Sequence, residues 1–208
     1  MADAPLHFAQ GDDAEEVSRA DLYGLLAQLW AAPPDAALLQ RLQGAAADPA
    51  ETSVLLATRW RALVEAMRAT TAEAAADEYD ALFQGVGKPE IFLYGSFYLS
   101  GLLNERPLVQ LRHDLREIGL TRDAARGETE DHVAFVFEVM RYLIAGDDAA
   151  VCNLEQQRRF FRTHVQSWVD RLCEAVDAHP RAGTWRAVAG LTRSFMEVET
   201  QGFDMLEA

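Results

Sequence analysis

The sequence predicts an all-α protein, a single-domain helical bundle. Apolar residues recur at helical spacing along most of the chain, and an alanine-rich run continues the same pattern. No segment combines sustained period-two alternation with β-branched enrichment, so strands are not expected. The 208 residues are 50% apolar, enough to bury the core of one domain of ordinary size. Residues 1–17 are expected to form a polar, disordered N-terminus, and residues 18–208 the helical domain.

Ser18 is read as the N-cap of a first helix, because Leu22, Leu25, Leu26 and Leu29 follow it on one face. Pro33 and Pro34 end that helix. Asp35 then caps a short one that Gly44 stops. Pro49 precedes a helix over 51–70, with Val54, Leu55, Trp60, Leu63, Val64 and Met67 on its apolar side. The alanine-rich stretch 72–83 is helical because alanine loses no side-chain entropy in a helix. Gly85, Gly87 and Pro89 mark a loop, followed by the aromatic cluster Phe92, Tyr94, Phe97 and Tyr98. Pro107 starts a helix over 107–118, and Gly119 ends it. Residues 121–128 are a polar loop. The segment 129–145 is apolar almost all round and belongs at the centre of the bundle. Residues 152–176 and 185–205 supply the last helices, parted by His179-Pro180.

Charge excludes several function classes. A net charge of −14 has the wrong sign for general nucleic-acid binding or for an anionic membrane surface. It favours a basic partner. The start of the chain has no basic and apolar leader pattern, and no stretch approaches the ~18 apolar residues of a membrane span, so a cytoplasmic protein is expected. Cys152 and Cys173 make no zinc pattern and suit a reducing compartment.

Three constellations could carry chemistry. Glu128-Thr129-Glu130-Asp131-His132 opens the oily segment. Its structural reading is a helix start, with Glu128 or Thr129 as cap and acids complementing the dipole. Its functional reading is a site for a cationic ligand, since guanidinium–carboxylate bonds are strong and selective. The loop 85–89 has no GxxxxGK[ST] pattern, so it is no phosphate cradle. Its aromatic neighbours read as core or as a groove wall. His113-Asp114 invites a metal-dependent phosphohydrolase reading, but the only upstream histidine is His7. His164 and Trp168 share a helix face and read as packing.

In their order, these segments resemble the TorD/DmsD family of molybdoenzyme maturation chaperones. Glu128–His132 is similar to the family's E-P-x-D-H motif, with Thr129 at the proline position. His164-Val165-Gln166-Ser167-Trp168 is similar to H-L-x-P-W, with Val165 and Ser167 replacing leucine and proline. Tyr79, Leu82, Phe83 and Gly85 match its Y-x-x-L-F-x-G loop, and Tyr94-Gly95-Ser96-Phe97-Tyr98 the aromatic helix after it. The resemblance spans residues 18–200. It implies a non-enzymatic chaperone that binds the twin-arginine signal peptide, or another segment of the catalytic subunit, of a molybdoenzyme. The run 85–107 is most similar to members associated with formate dehydrogenases, which makes that enzyme the expected client. Asp131 and Glu128 are then expected to pair with the leader's arginines, and His132 to orient the carboxylates or bond the peptide. Tyr94, Tyr98 and Phe83 are expected to line the surface for the apolar stretch. No cofactor or metal is assigned. A monomer or a homodimer with exchanged helices is compatible, the loops 85–89 and 121–128 being candidate hinges. The alternatives are a helical metal-dependent phosphohydrolase or nucleotide-binding protein, and a helical module within a larger complex.

Overall fold

In the computed structural model, which describes residues 10–47, 54–85, 87–122 and 127–206 (the backbone alone at 10–13), the leucine repeat lies on α1 (Gln10–Ala31). This helix begins well before Ser18, so Ser18 is not its cap. Its hydroxyl donates to the Ala14 carbonyl one turn back, at 2.8 Å. Residues 10–17, expected to be disordered, are helical because Ala14, Glu15 and Glu16 are good helix formers and nothing there stops propagation. The polar stretch before residue 10, the helix start at Pro49 and Glu51, Val86, and residues 123–126 of the polar loop lie outside the described residues.

After the two prolines, Asp35 accepts from the Leu38 N–H at 2.8 Å and caps α2 (Ala36–Gly44). Then α3 (Val54–Ala69) buries Leu63, Val64 and Met67 but leaves Val54 and Leu55 exposed. The alanine-rich run forms α4 (Ala72–Tyr79) and then widens into a π-turn, Asp80–Gln84, rather than continuing as α-helix. Next come α5 (Gly95–Ser100) and α6 (Arg106–Glu117), the latter with Pro107 in its first turn. The oily helix is α7 (Val133–Ala145). The predicted helix 152–176 is divided into α8 (Leu154–Phe160), a second π-turn Phe161–Gln166, and α9 (Val169–Asp177). The chain closes on α10 (Thr184–Met205). Among the described residues no strand forms, and the two cysteines are free thiols.

Val133, Val136, Phe137, Met140 and Leu143 of α7 have no solvent exposure, so the oily helix is the centre of the bundle. Helix α1 packs along it, and Tyr23 meets Phe137 and Phe195 edge-on at 5.7 and 4.7 Å. Helix α10 packs against α3 and α9. Two side chains of α4 tie the helix ends together. Glu78 accepts from the N–H groups of Gly183, Thr184 and Trp185 at 2.8–3.0 Å and so caps α10. The Tyr79 hydroxyl lies 3.1 and 3.0 Å from the Trp30 and Ala31 carbonyls that end α1.

Candidate functional site

Backbone pairing builds the site. Gly95 donates to the Asp131 carbonyl and Val133 to the Leu93 carbonyl, both at 2.8 Å, so Tyr94 and His132 sit opposite each other in an antiparallel bridge. The aromatic run and the acidic segment, far apart in sequence, are thereby joined. The pairing also corrects the helix start. Residues 128–131 precede α7 rather than form its first turn: the His132 N–H closes a turn onto the Thr129 carbonyl at 3.1 Å, and His132 is extended where it pairs with Tyr94. The cap is His132, whose Nδ1 accepts from the Ala134 N–H at 3.2 Å. Burial holds the His132 pKa below the usual imidazole range, outweighing Glu128 and Asp131, which push it up.

The carboxylates divide by environment. Asp131 is only 4% exposed, and its oxygens accept from the Ser96 N–H at 2.9 Å and the Thr129 hydroxyl at 2.6 Å. It holds the start of α5 against the start of α7. Glu130 is buried and bonded to Arg112 of α6 at 2.9–3.0 Å. Burial pushes the Glu130 pKa up, but the Arg112 hydrogen bond and charge win and hold it below the usual range. Glu128 alone of the three is exposed, and it accepts a hydrogen bond from the half-buried Tyr94 hydroxyl. The Tyr94 ring lies edge-on to His132, with centroids 5.2 Å apart. Burial first, and Glu128 next, push the Tyr94 phenol up, so it stays protonated as a donor.

Beyond Tyr94 in the chain, Leu99, Leu102 and Leu103 on α5 and the α5–α6 connection are exposed, as is Val109 on α6. The Asn104 N–H donates to Ser96 Oγ at 3.2 Å, folding the connection back onto the turn that Asp131 caps. These leucines were not among the sequence-predicted site residues. Their signal was present: three leucines beside Gly101 and Asn104, two residues that take positive φ and turn the chain.

Phe83 is not on this surface. It is 7% exposed and packs against Tyr79, Trp30 and Trp185 at 5.0–6.0 Å, because the π-turn carries it inward. Leu82 is fully buried beside it. Gly85 then turns the chain at φ +43°, where a Cβ would stand 2.6 Å from the Lys88 carbonyl. Tyr79, Leu82, Phe83 and Gly85 thus steer the chain into residues 91–94.

Tyr98 donates to the Phe92 carbonyl at 2.9 Å, and its ring stacks on Trp168 at 5.7 Å. The Trp168 indole N–H donates to the His164 carbonyl at 2.7 Å, and the ring fills the space where Gly95 would carry a Cβ, 2.9 Å away. His164 Nε2 lies 2.7 Å from Asp114. Burial lowers the His164 pKa more than Asp114 raises it. Burial raises the Asp114 pKa, but bonds from His164 and Gln110 bring it below the usual range. A neutral imidazole donating to a carboxylate fits both shifts. The His164–Trp168 segment therefore buttresses residues 94–98 from behind.

His113, Asp114 and Glu117 place ligand atoms within 4.8 Å of one another, close enough for a cation. Arg159 already reaches Glu117 at 2.9 Å and Asp114 at 3.8 Å, and His164 takes the other Asp114 oxygen. These carboxylates are turned onto protein cations and donors. His7, the upstream histidine of the phosphohydrolase reading, lies outside the described residues.

Residues 50–174 match the sequence family described as nitrate reductase delta subunit, a span that holds every site residue above. Among curated relatives, the chaperone protein TorD of Aliivibrio fischeri is 29% identical over 137 residues, covering 62% of this chain and 63% of that protein. The chaperone protein TorD of Vibrio cholerae is 28% identical over 141 residues, covering 64% of each chain. The chain thus spans somewhat less than two thirds of the length of the relatives it matches.

Proposed function

Because the chain belongs to the nitrate reductase delta subunit family, the family of the TorD-type chaperones, we propose that it is a molybdoenzyme maturation chaperone that binds the twin-arginine leader of its client and does no chemistry of its own. One observation carries the choice of ligand. Glu128 is an exposed carboxylate bonded to the neutral phenol of Tyr94, and exposed leucines follow Tyr94 along α5 and the α5–α6 connection. A twin-arginine leader offers the complement: guanidinium groups for the carboxylate and an apolar stretch for Leu99, Leu102 and Leu103. Asp131, enclosed and hydrogen-bonded at both oxygens, supports the site by holding its two strands of backbone together. The net charge of −14 steers a cationic segment toward the protein. The setting is the cytoplasm before export, and a formate dehydrogenase is the first client to try. Among the described residues no helix is long and apolar enough to cross a membrane.

The test is titration calorimetry of the full chain with the leader peptide of a molybdoenzyme encoded beside it. Replacing both leader arginines with glutamine should weaken binding at least tenfold. Glu128→Gln should weaken the arginine peptide by about fivefold, the worth of one charged pair at a solvated rim. Equal affinity for the arginine and glutamine peptides would rule the reading out.

A further inference from the structure

The acceptor that the leader needs is occupied by the protein itself. Of the three carboxylates in 128–131, Glu130 is taken up by Arg112 and Asp131 by Ser96 and Thr129. Among the described residues Glu128 is left, and the Tyr94 hydroxyl is bonded to it. We propose that the Tyr94 hydroxyl is a placeholder that an incoming guanidinium must displace, so that Tyr94 lowers the affinity of the site for every ligand that takes Glu128. This rests on the reading of Glu128 as the guanidinium acceptor.

The exchange is physically lopsided. A phenol gives a carboxylate one hydrogen bond and no charge. A guanidinium gives two parallel bonds and a full positive charge, and such charge-assisted contacts are about twice as strong. Arginine therefore gains on displacing the phenol. Lysine, a single hydrated point charge without the planar fork, gains less. A neutral side chain gains nothing. The phenol's bond is a fixed cost, offset only by a group that gives Glu128 more than one neutral hydrogen bond. The backbone need not move for this. Residues 93–95 are bonded on both sides of Tyr94 to 131–133, so the displacement falls on the Tyr94 ring, which lies at the half-buried rim with its edge on His132.

The test is Tyr94→Phe, which removes the hydroxyl and keeps the ring. Against an arginine-bearing leader peptide it should bind about fivefold tighter than wild type, the net worth of one hydrogen bond no longer broken. Against the lysine-substituted peptide the gain should be no larger, because the bond that must be broken is the same whichever cation replaces the phenol. In a Glu128→Gln background the same substitution should change neither affinity. A thermal melt of each variant confirms that the fold is intact, and Tyr94→Trp offers a second ring without the phenol should the first variant melt early. Unchanged or weaker binding of the arginine peptide by Tyr94→Phe, with wild type binding it normally, overturns the placeholder alone. Wild type that fails to tell arginine from glutamine peptides overturns the functional reading, and the placeholder with it.

Discussion

A carboxylate with both oxygens engaged inside a protein is a fastening, whatever its charge suggests for ligands. Asp131 joins the Ser96 N–H of α5 to the turn before α7, and removing it leaves a buried N–H without a partner. Such a group costs about 1–3 kcal/mol. Asp131→Ala should lower stability by that amount in urea denaturation, and Asp131→Asn, which keeps an oxygen for Ser96, by visibly less. Equal stability of the alanine variant and wild type would return Asp131 to the ligand. Titration of single residues gives a second expectation. His132 and His164 are buried with pKa values below the usual imidazole range. Their contribution is fully present above the unfolded value of about 6.5 and declines as pH falls below it, because the unfolded chain takes up those protons first. Asp114 and Glu130, both held below the usual carboxylate range, add a second loss below about pH 4. The urea midpoint should therefore fall in two stages from pH 7 downward. His132→Asn keeps an acceptor for the Ala134 N–H and should flatten the first stage. A wild-type midpoint constant between pH 7 and pH 5 would contradict this.

At the scale of elements, helix ends carry much of the organisation. Glu78 satisfies three N–H groups at the start of α10, which has no side-chain cap of its own. Glu78→Ala should cost about 1–2 kcal/mol, as for loss of a good N-cap. Glu197→Ala, on the exposed side of α10, should stay within about 0.5 kcal/mol of wild type. Matching losses for the two would mean that the cap is worth nothing beyond a surface charge. The two π-turns belong here as well. Each follows an ordinary helix and re-aims the residues after it: Asp80–Gln84 sends Leu82 and Phe83 into the core, and Phe161–Gln166 sets His164 and Trp168 behind the aromatic run. Single widened turns of this kind are rare and often lie at functional sites.

At the scale of the whole molecule, an ion pair joins α1 to α10 among the described residues. Arg19 of α1 meets both oxygens of Glu199 of α10 at 2.7 and 2.8 Å, with the Tyr23 hydroxyl on the same carboxylate at 3.0 Å. The side chains are 18% and 3% exposed, so neither charge can be left alone cheaply. Glu199→Ala should cost about 3 kcal/mol or more, whereas the double replacement Arg19→Met with Glu199→Leu should lose much less, since an apolar pair of similar volume leaves no stranded charge. Urea denaturation of the single and double variants decides it. A double variant that loses as much as the single would show that packing, not charge, holds these helices together.

The sequence by itself determined the all-helical class, the order of most helices and the family. Periodicity, Pro33-Pro34, Asp35, Pro107 and Gly119 act within one or two turns of chain, and all-round apolarity was enough to put 133–145 at the centre. It also brought Glu128, Asp131, His132 and Tyr94 into view as one group. Which of them is open and which is sealed was decided only by the tertiary structure. Asp131 is closed off by Ser96, 35 residues away, Phe83 by Trp185, and α10 is capped by Glu78, 106 residues before Thr184. Burial and hydrogen-bond partnership are properties of pairs brought together by folding, whereas helical spacing is a property of neighbours along the chain. The two π-turns follow from pairings of the first kind, and no local pattern of residues specifies them.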